Sequence, residues 1–234
     1  MKLVLDRISA SRPGWSLAAN GIFSEGIHLV SGDVGSGKST LALIMADLFM
    51  PEQGTCSREN LERIMLSFQF PEFHITGLTV ADECASWNLA PDDVLALAGL
   101  HVPEKTSPLS LSRGELKRLH LACVLLGQYD LLLLDEPFSS LDCREKERLC
   151  SQISSRNAGI TILFTHEQTF FPRVDHIWEI VGGTLVDCGN VPGAFSCWQH
   201  APPLVKKMVK AGYCPANLTQ KDLLEAACRT RVSD

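Results

Sequence analysis

The sequence predicts an α/β protein built on a mainly parallel sheet, and three observations lead there. A strand, a glycine-rich loop and a helix follow one another between Gly26 and Leu48. Two short apolar runs, Leu131–Leu134 and Ile160–Thr165, have the nearly continuous hydrophobicity of strands covered on both faces. Between the loop and the first of those runs, Ala81 to Leu126 has a helical texture.

Taken in order, Gly26-Ile-His-Leu-Val30 reads as a strand that runs through Ser31 into the loop. Leu41–Leu48 is made of good helix formers, with Pro51 just beyond. Pro91–Ala98 predicts a helix stopped by Gly99, and Arg113–Leu126 a longer one. Leu131–Leu134 is too short for an independent helix and lies between Asp130 and Asp135. Asp142–Ile153 is amphipathic, with Leu149 and Ile153 on one side. Residues 182–203, rich in Gly and Pro, are expected to form turns and connections. From Leu204 onward two short helical patterns follow, the second capped by Thr219 with Asp222 three residues later.

Composition narrows the class. With 45% hydrophobic and 21% charged residues in 234, the chain has the make-up of a folded protein rather than a disordered one. Its 21 basic against 27 acidic residues give no electrostatic reason to bind nucleic acid. The longest charge-free stretch, Cys188–Val205, carries three prolines, whereas a spanning helix needs roughly 20 mainly apolar residues. Nine cysteines, an odd number with no CxxC pair, follow a start that lacks a secretory apolar region. Reduced thiols are therefore expected rather than a disulfide framework.

The chemistry sits in two motifs. Gly32-Asp33-Val34-Gly35-Ser36-Gly37-Lys38-Ser39 matches GxxxxGK[ST] in full. Glycines let the backbone wrap closely around polyphosphate with its N–H groups inward, and the following helix offers the positive end of its dipole. Lys38 is placed for the β- and γ-phosphates, the Ser39 hydroxyl for Mg²⁺, and Thr40 for a further phosphate contact. The run Leu131–Leu134 then ends in Asp135-Glu136: a metal carboxylate, followed by a candidate general base. The two motifs together define a P-loop nucleoside triphosphatase.

Further residues stand in a fixed order around these: Gln69, Leu111-Ser112-Arg113-Gly114-Glu115, Ser139-Ser-Leu-Asp142 and His166. In that order the chain, from about residue 2 to about 190, resembles the ATP-binding-cassette (ABC) ATPases. The resemblance implies an ABC-type core with an N-terminal antiparallel β subdomain and an α-helical subdomain inserted at about 70–127. It assigns no role to residues 191–234. It also implies ATP and Mg²⁺ as cofactors, with Ser39, Gln69 and Asp135 toward the metal. Glu136 would be the base, His166 would hold the γ-phosphate and orient Glu136, and Gln69 would link the metal and water to the helical region. Cassettes of this family pair head to tail, so Ser112 and Gly114 would reach nucleotide held by a second ATPase subunit, identical or not, with Asp142 at the seam. Read without the resemblance, Ser112 is a helix N-cap and Glu115 completes its capping box. Arg113 stands where the family usually has glycine, and either Arg12 or Trp15 falls where adenine is stacked.

Residues 67–83, Ser-Phe-Gln69-Phe-Pro-Glu-Phe-His-Ile-Thr-Gly-Leu-Thr79-Val-Ala-Asp-Glu, resemble the ATPases of energy-coupling-factor (ECF) transporters, with His74 in place of a second glutamine. This implies an importer of a metal ion or vitamin, transmembrane partner subunits, and a peripheral position on the cytoplasmic face of the cell membrane. Two other readings stay open on sequence: a soluble ABC ATPase of repair, translation or cofactor assembly, and a weakly hydrolysing regulatory subunit.

Overall fold

The computed structural model describes residues 1–231. The chain runs β1 (Lys2–Arg12), β2 (Trp15–Ser24), β3 (Gly26–Gly32), α1 (Lys38–Met45), β4 (Gln53–Glu59), β5 (Ile64–Ser67), α2 (Val80–Ser86), α3 (Pro91–Ala98), α4 (Arg113–Leu126), β6 (Leu131–Asp135), α5 (Cys143–Ser154), β7 (Ile160–Thr165), β8 (His176–Val181), β9 (Thr184–Asn190), α6 (Pro203–Lys210) and α7 (Gln220–Arg231). The strands form one sheet in the order β4-β1-β2-β9-β8-β3-β7-β6-β5.

The sheet has two characters. Strands β8, β3, β7, β6 and β5 are parallel neighbours, so the phosphate loop after β3 and the acids closing β6 leave the sheet at the same end. Successive residues of β6 face opposite sides: Leu132 and Leu134 join one hydrophobic cluster, Leu131 and Leu133 the other. A strand with both faces covered must be apolar throughout, and this one is. At the other end, β1 pairs antiparallel with β2 and β4. That antiparallel part joins the rest at Ala18 opposite Thr184, where the Ala18 amide donates to the Gly183 carbonyl at 2.7 Å.

Helices α2, α3 and α4 pack around a third cluster that includes Val80, Cys84, Val94, Leu119 and Cys123. Three capping boxes start helices: Thr79 with Asp82 for α2, Ser112 with Glu115 for α4, and Asp142 with Glu145 for α5. Gly99 ends α3 in the left-handed conformation (φ 64°).

Two expectations change. The helix expected at Leu41–Leu48 starts earlier, at Lys38, because Gly37 serves as its N-cap at φ 108°, and it stops at Met45, short of Asp47 at φ 65°. The 182–203 stretch is not all connection: β9 occupies Thr184–Asn190 and pairs antiparallel with β8. Gly182 and Gly183, both at positive φ, form the two-residue turn between them, so this Gly pair marked a hairpin and not a loop. Beyond β9 the chain returns to the main core, where Phe195, Trp198, Val205 and Leu218 share a cluster with Leu132 and Leu163.

Candidate nucleotide site

The phosphate loop starts from a buried strand end and closes tightly. Gly32 sits at φ 156°, and a Cβ there would lie 2.8 Å from the Ser36 hydroxyl and 3.1 Å from the Ile180 carbonyl. At Gly37 (φ 108°) a Cβ would fall 2.6 Å from the Trp15 ring. Both positions therefore require glycine. Lys38, the first residue of α1, folds back under the loop, and its ammonium donates to the Gly32 carbonyl at 2.9 Å and the Asp33 carbonyl at 3.0 Å. Burial pulls its pKa down, against the acids Glu136, Asp135 and Asp33 nearby.

The acids come from the end of β6. Asp135 is buried, and its carboxyl is pushed up from the ordinary range chiefly by that burial, with the nearby Ser39 hydroxyl acting the other way. Glu136 turns out of the strand at φ 46°, a left-handed conformation unusual for a residue with a side chain. Its amide bonds the Phe164 carbonyl at 2.8 Å. Its carboxylate is held from three sides: Thr165 Oγ1 donates at 3.0 Å, His166 Nδ1 at 2.7 Å, and Lys38 Nζ lies at 3.7 Å. Neighbouring parallel strands thus bring Lys38, Glu136 and His166 to one point.

That point opens into a cavity of about 390 Å³ lined by Val34, Gly35, Gly37, Lys38, Ser39, Thr40, Gln69, Glu136 and His166, with Arg12 and Trp15 on its rim. Nine of the expected residues meet there, and Asp135 lies behind Ser39. Both residues considered for adenine face the same cavity. Asp33 contributes its backbone carbonyl to Lys38, while its carboxylate is exposed and lines a second cavity together with Ser36.

Ser112, Gly114 and Asp142 do not line the phosphate cavity. They lie together elsewhere, where the start of α4 meets the turn into α5: a Cβ on Gly114 would sit 3.0 Å from the Ser140 carbonyl, and Arg118 pairs with Glu145 at 2.9 Å. The Ser112 hydroxyl is engaged by its capping box, donating to Glu115 at 2.6 Å. Arg113, the departure from glycine, is exposed in the first turn, and the close backbone approach falls on Gly114.

Three residues around the site were not among those expected from the sequence. Lys117 is fully buried on α4, and its ammonium donates to the Gln69 carbonyl at 2.9 Å, which ties the glutamine loop to that helix. The lysine within LKRLHLA was the available sign, since α4 buries the residues around it. Thr165 holds Glu136, and His200 stands beside Asp33. His74, which replaces the glutamine, accepts from the Phe68 amide at 3.0 Å and stacks on His120 with ring centroids 4.3 Å apart.

The donor set suits a divalent cation. Asp135 Oδ1 is buried without a hydrogen-bond partner among the described residues, beside a hydroxyl and an outward carboxylate. An oxygen in that position, next to a glycine cradle open at Gly35, fits a magnesium–polyphosphate pair.

Comparison with known proteins agrees. Residues 21–139 match the ABC transporter family. The chain is 34% identical over 217 residues to the energy-coupling factor transporter ATP-binding protein EcfA1 of Thermotoga maritima, covering 81% of this chain and 82% of that one. It is 30% identical to the methionine import ATP-binding protein MetN 2 of Salmonella choleraesuis, covering 75% of this chain and 62% of the relative. Among solved structures, an ATP-binding cassette dimer in a post-hydrolysis state with ADP and Pi aligns with a TM-score of 0.64 at 19% identity, over 79% of this chain and 98% of that chain, a likeness of fold. The chain belongs to the ABC transporter family, as one of its ATP-binding ATPases.

Proposed function

We propose that this ATPase performs Mg²⁺-dependent hydrolysis at the Lys38–Glu136–His166 cavity and couples it to import through separate membrane subunits of the energy-coupling-factor type, with a metal ion or vitamin as cargo. The observation that carries the reading is the convergence of those three side chains and Gln69 on one cavity beside the glycine cradle. The likeness to an energy-coupling factor ATPase supports the subtype.

Within this reading the loop amides and Lys38 hold the polyphosphate. Glu136, fixed by Thr165 and His166, takes a proton from the attacking water. Positioning and charge neutralisation supply most of the acceleration in phosphoryl transfer, so no covalent nucleophile is required. Ser39, Asp135 and Gln69 are the residues that would hold Mg²⁺, which supplies neutralisation of the β- and γ-phosphate charge. Ser112, Gly114 and Asp142, away from the cavity of their own chain, would meet the nucleotide of a second subunit, homologous or identical.

Residues 1–190 are read as the ATP-binding domain with its helical part at about 70–127, and 191–234 as an extension. No helix among the described residues is long and apolar enough to cross a membrane. Phe70, Phe73 and Leu78, which lie between Gln69 and α2 in the chain, are exposed and offer the apolar surface a membrane subunit would need. The chain would then sit peripherally on the cytoplasmic face.

Glu136→Gln tests the chemistry. Phosphate release should fall by about 100-fold or more while ATP binding persists and an ATP-dependent dimer accumulates. Turnover equal to the parent would remove Glu136 as base. Recovery of a hydrophobic membrane protein with the tagged chain from detergent extracts tests the coupling, and co-sedimentation with ribosomes or DNA instead would overturn it.

A further inference from the structure

The stretch Trp198–His200, between β9 and α6, reaches under the phosphate loop. Trp198 Nε1 donates to the Ser31 hydroxyl at 2.6 Å, one residue before the loop begins. The amides of Gln199 and His200 both donate to the Glu179 carboxylate at 3.0 Å, and His200 Nδ1 adds a third bond at 2.8 Å. Glu179 is buried in β8, so these three donors satisfy an acid that would otherwise be costly there. They also fix the imidazole. Its other nitrogen, Nε2, then faces the Asp33 carboxylate at 3.5 Å, a contact that attracts in the imidazolium form, in which both ring nitrogens carry protons. The His200 carbonyl accepts from Gln168, two residues after His166, at 3.4 Å.

The place of Asp33 gives this arrangement a purpose. A carboxylate on the second residue of a loop that wraps polyphosphate carries the same sign as the ligand. Here that carboxylate does not line the phosphate cavity. It lines an adjoining cavity of about 420 Å³ together with Ser36, Gln199 and His200.

We propose that His200 is a positioning residue for nucleotide binding, which holds the Asp33 carboxylate in the cavity beside the phosphate loop and out of the one that the polyphosphate would fill. This rests on the reading that the loop takes the phosphates of ATP. The three bonds to Glu179 set the ring, and the ring sets Asp33. Residues near the C-terminus thereby tune a loop that is more than 160 residues earlier in the chain.

The test is a double-mutant cycle on the full chain, with a fluorescent ATP analogue titrated at low and high salt. His200→Ala should weaken binding by about three- to five-fold at low salt, the scale of an exposed ion pair, and less at high salt. In the Asp33→Asn background the same change should cost nothing beyond error, because no carboxylate remains to be held. His200→Asn, which keeps a donor near Glu179 but does not reach Asp33, should keep the parent's melting temperature and still show the weaker binding. Equal losses with and without the Asp33 carboxylate would reduce His200 to a structural residue and overturn the proposal. So would full affinity in His200→Asn. A parent chain that binds no nucleotide would sink the functional reading as well, whereas binding without coupling sinks this inference alone.

Discussion

Lys117 carries more energy than its place in the sequence suggests. Burial of its side chain lowers its pKa from 10.5 to about 8, opposed by Asp135, Glu136 and Glu72. Between those two values the unfolded chain binds the extra proton, so this residue makes stability rise with pH from about 8 toward 10.5. The gain is on the order of 3 kcal/mol at most. Denaturant unfolding of the parent and Lys117→Met, at pH 7.5 and at pH 10, should show a steeper rise in the parent. Parallel slopes would mean that Lys117 is solvated. His74 makes a second case. Its ring nitrogen accepts the Phe68 amide, and burial lowers its pKa, which favours the neutral form that can accept. His74→Ala should therefore lower stability by about 1–3 kcal/mol, and His74→Gln, which retains an acceptor, by less. Equal midpoints for the two variants would rule out the amide bond as the reason. The residues of the phosphate loop could be read from the chain because neighbours in sequence act together there. Lys117, Thr165 and His200 could not, since what each touches lies 21 to 167 residues away or depends on which face of a helix is covered.

Helix α4 shows how one element serves two purposes. Its capping box supplies a hydrogen bond to an otherwise unpaired amide, and the same Ser112 hydroxyl is the group proposed to meet the nucleotide of a second subunit. The two roles separate by mutation. Ser112→Ala should cost about 1 kcal/mol of stability and also weaken the ATP-dependent dimer of the Glu136→Gln chain. Glu115→Ala should lower stability while leaving the dimer intact, because Ser112 keeps its hydroxyl. Size-exclusion chromatography with light scattering reads the dimer and thermal melts read the cap. Loss of dimer in both variants would show that only the helix start matters. Elements with chemical punctuation at their ends were legible: α3 between Pro91 and Gly99, α4 from Ser112, α5 from Asp142, and β6 and β7 from their unbroken apolar runs. Strand β4, Gln-Gly-Thr-Cys-Ser-Arg-Glu, was not, because it lies at the sheet edge and pairs only with β1. Its polar residues satisfy solvent, so no alternation marks it.

At the scale of the whole molecule, the stretch from Ala194 to Leu218 contributes side chains to the main core. Phe195 and Trp198 are 3% exposed and Val205 and Leu218 are 0% exposed, all in the cluster that backs β6 and β7. Replacing one buried Phe or Trp by Ala typically costs about 3–5 kcal/mol, and a whole domain is stable by only about 5–15 kcal/mol. Removing all four side chains by truncation after Asn190 should therefore abolish cooperative unfolding and leave an aggregating chain with exposed apolar surface. A truncated protein that melts cooperatively at the parent's temperature would show that the segment merely rests on the core. The finer variant is Trp198→Phe, which keeps most of the apolar bulk and removes only the donor to Ser31. It should stay folded, because the packing that the truncation destroys is largely retained. Any loss of ATP affinity in it would then come from the freed Ser31 hydroxyl at the root of the phosphate loop. A melting curve and a nucleotide titration on the same sample separate the contribution of that segment to the core from its contribution to the site.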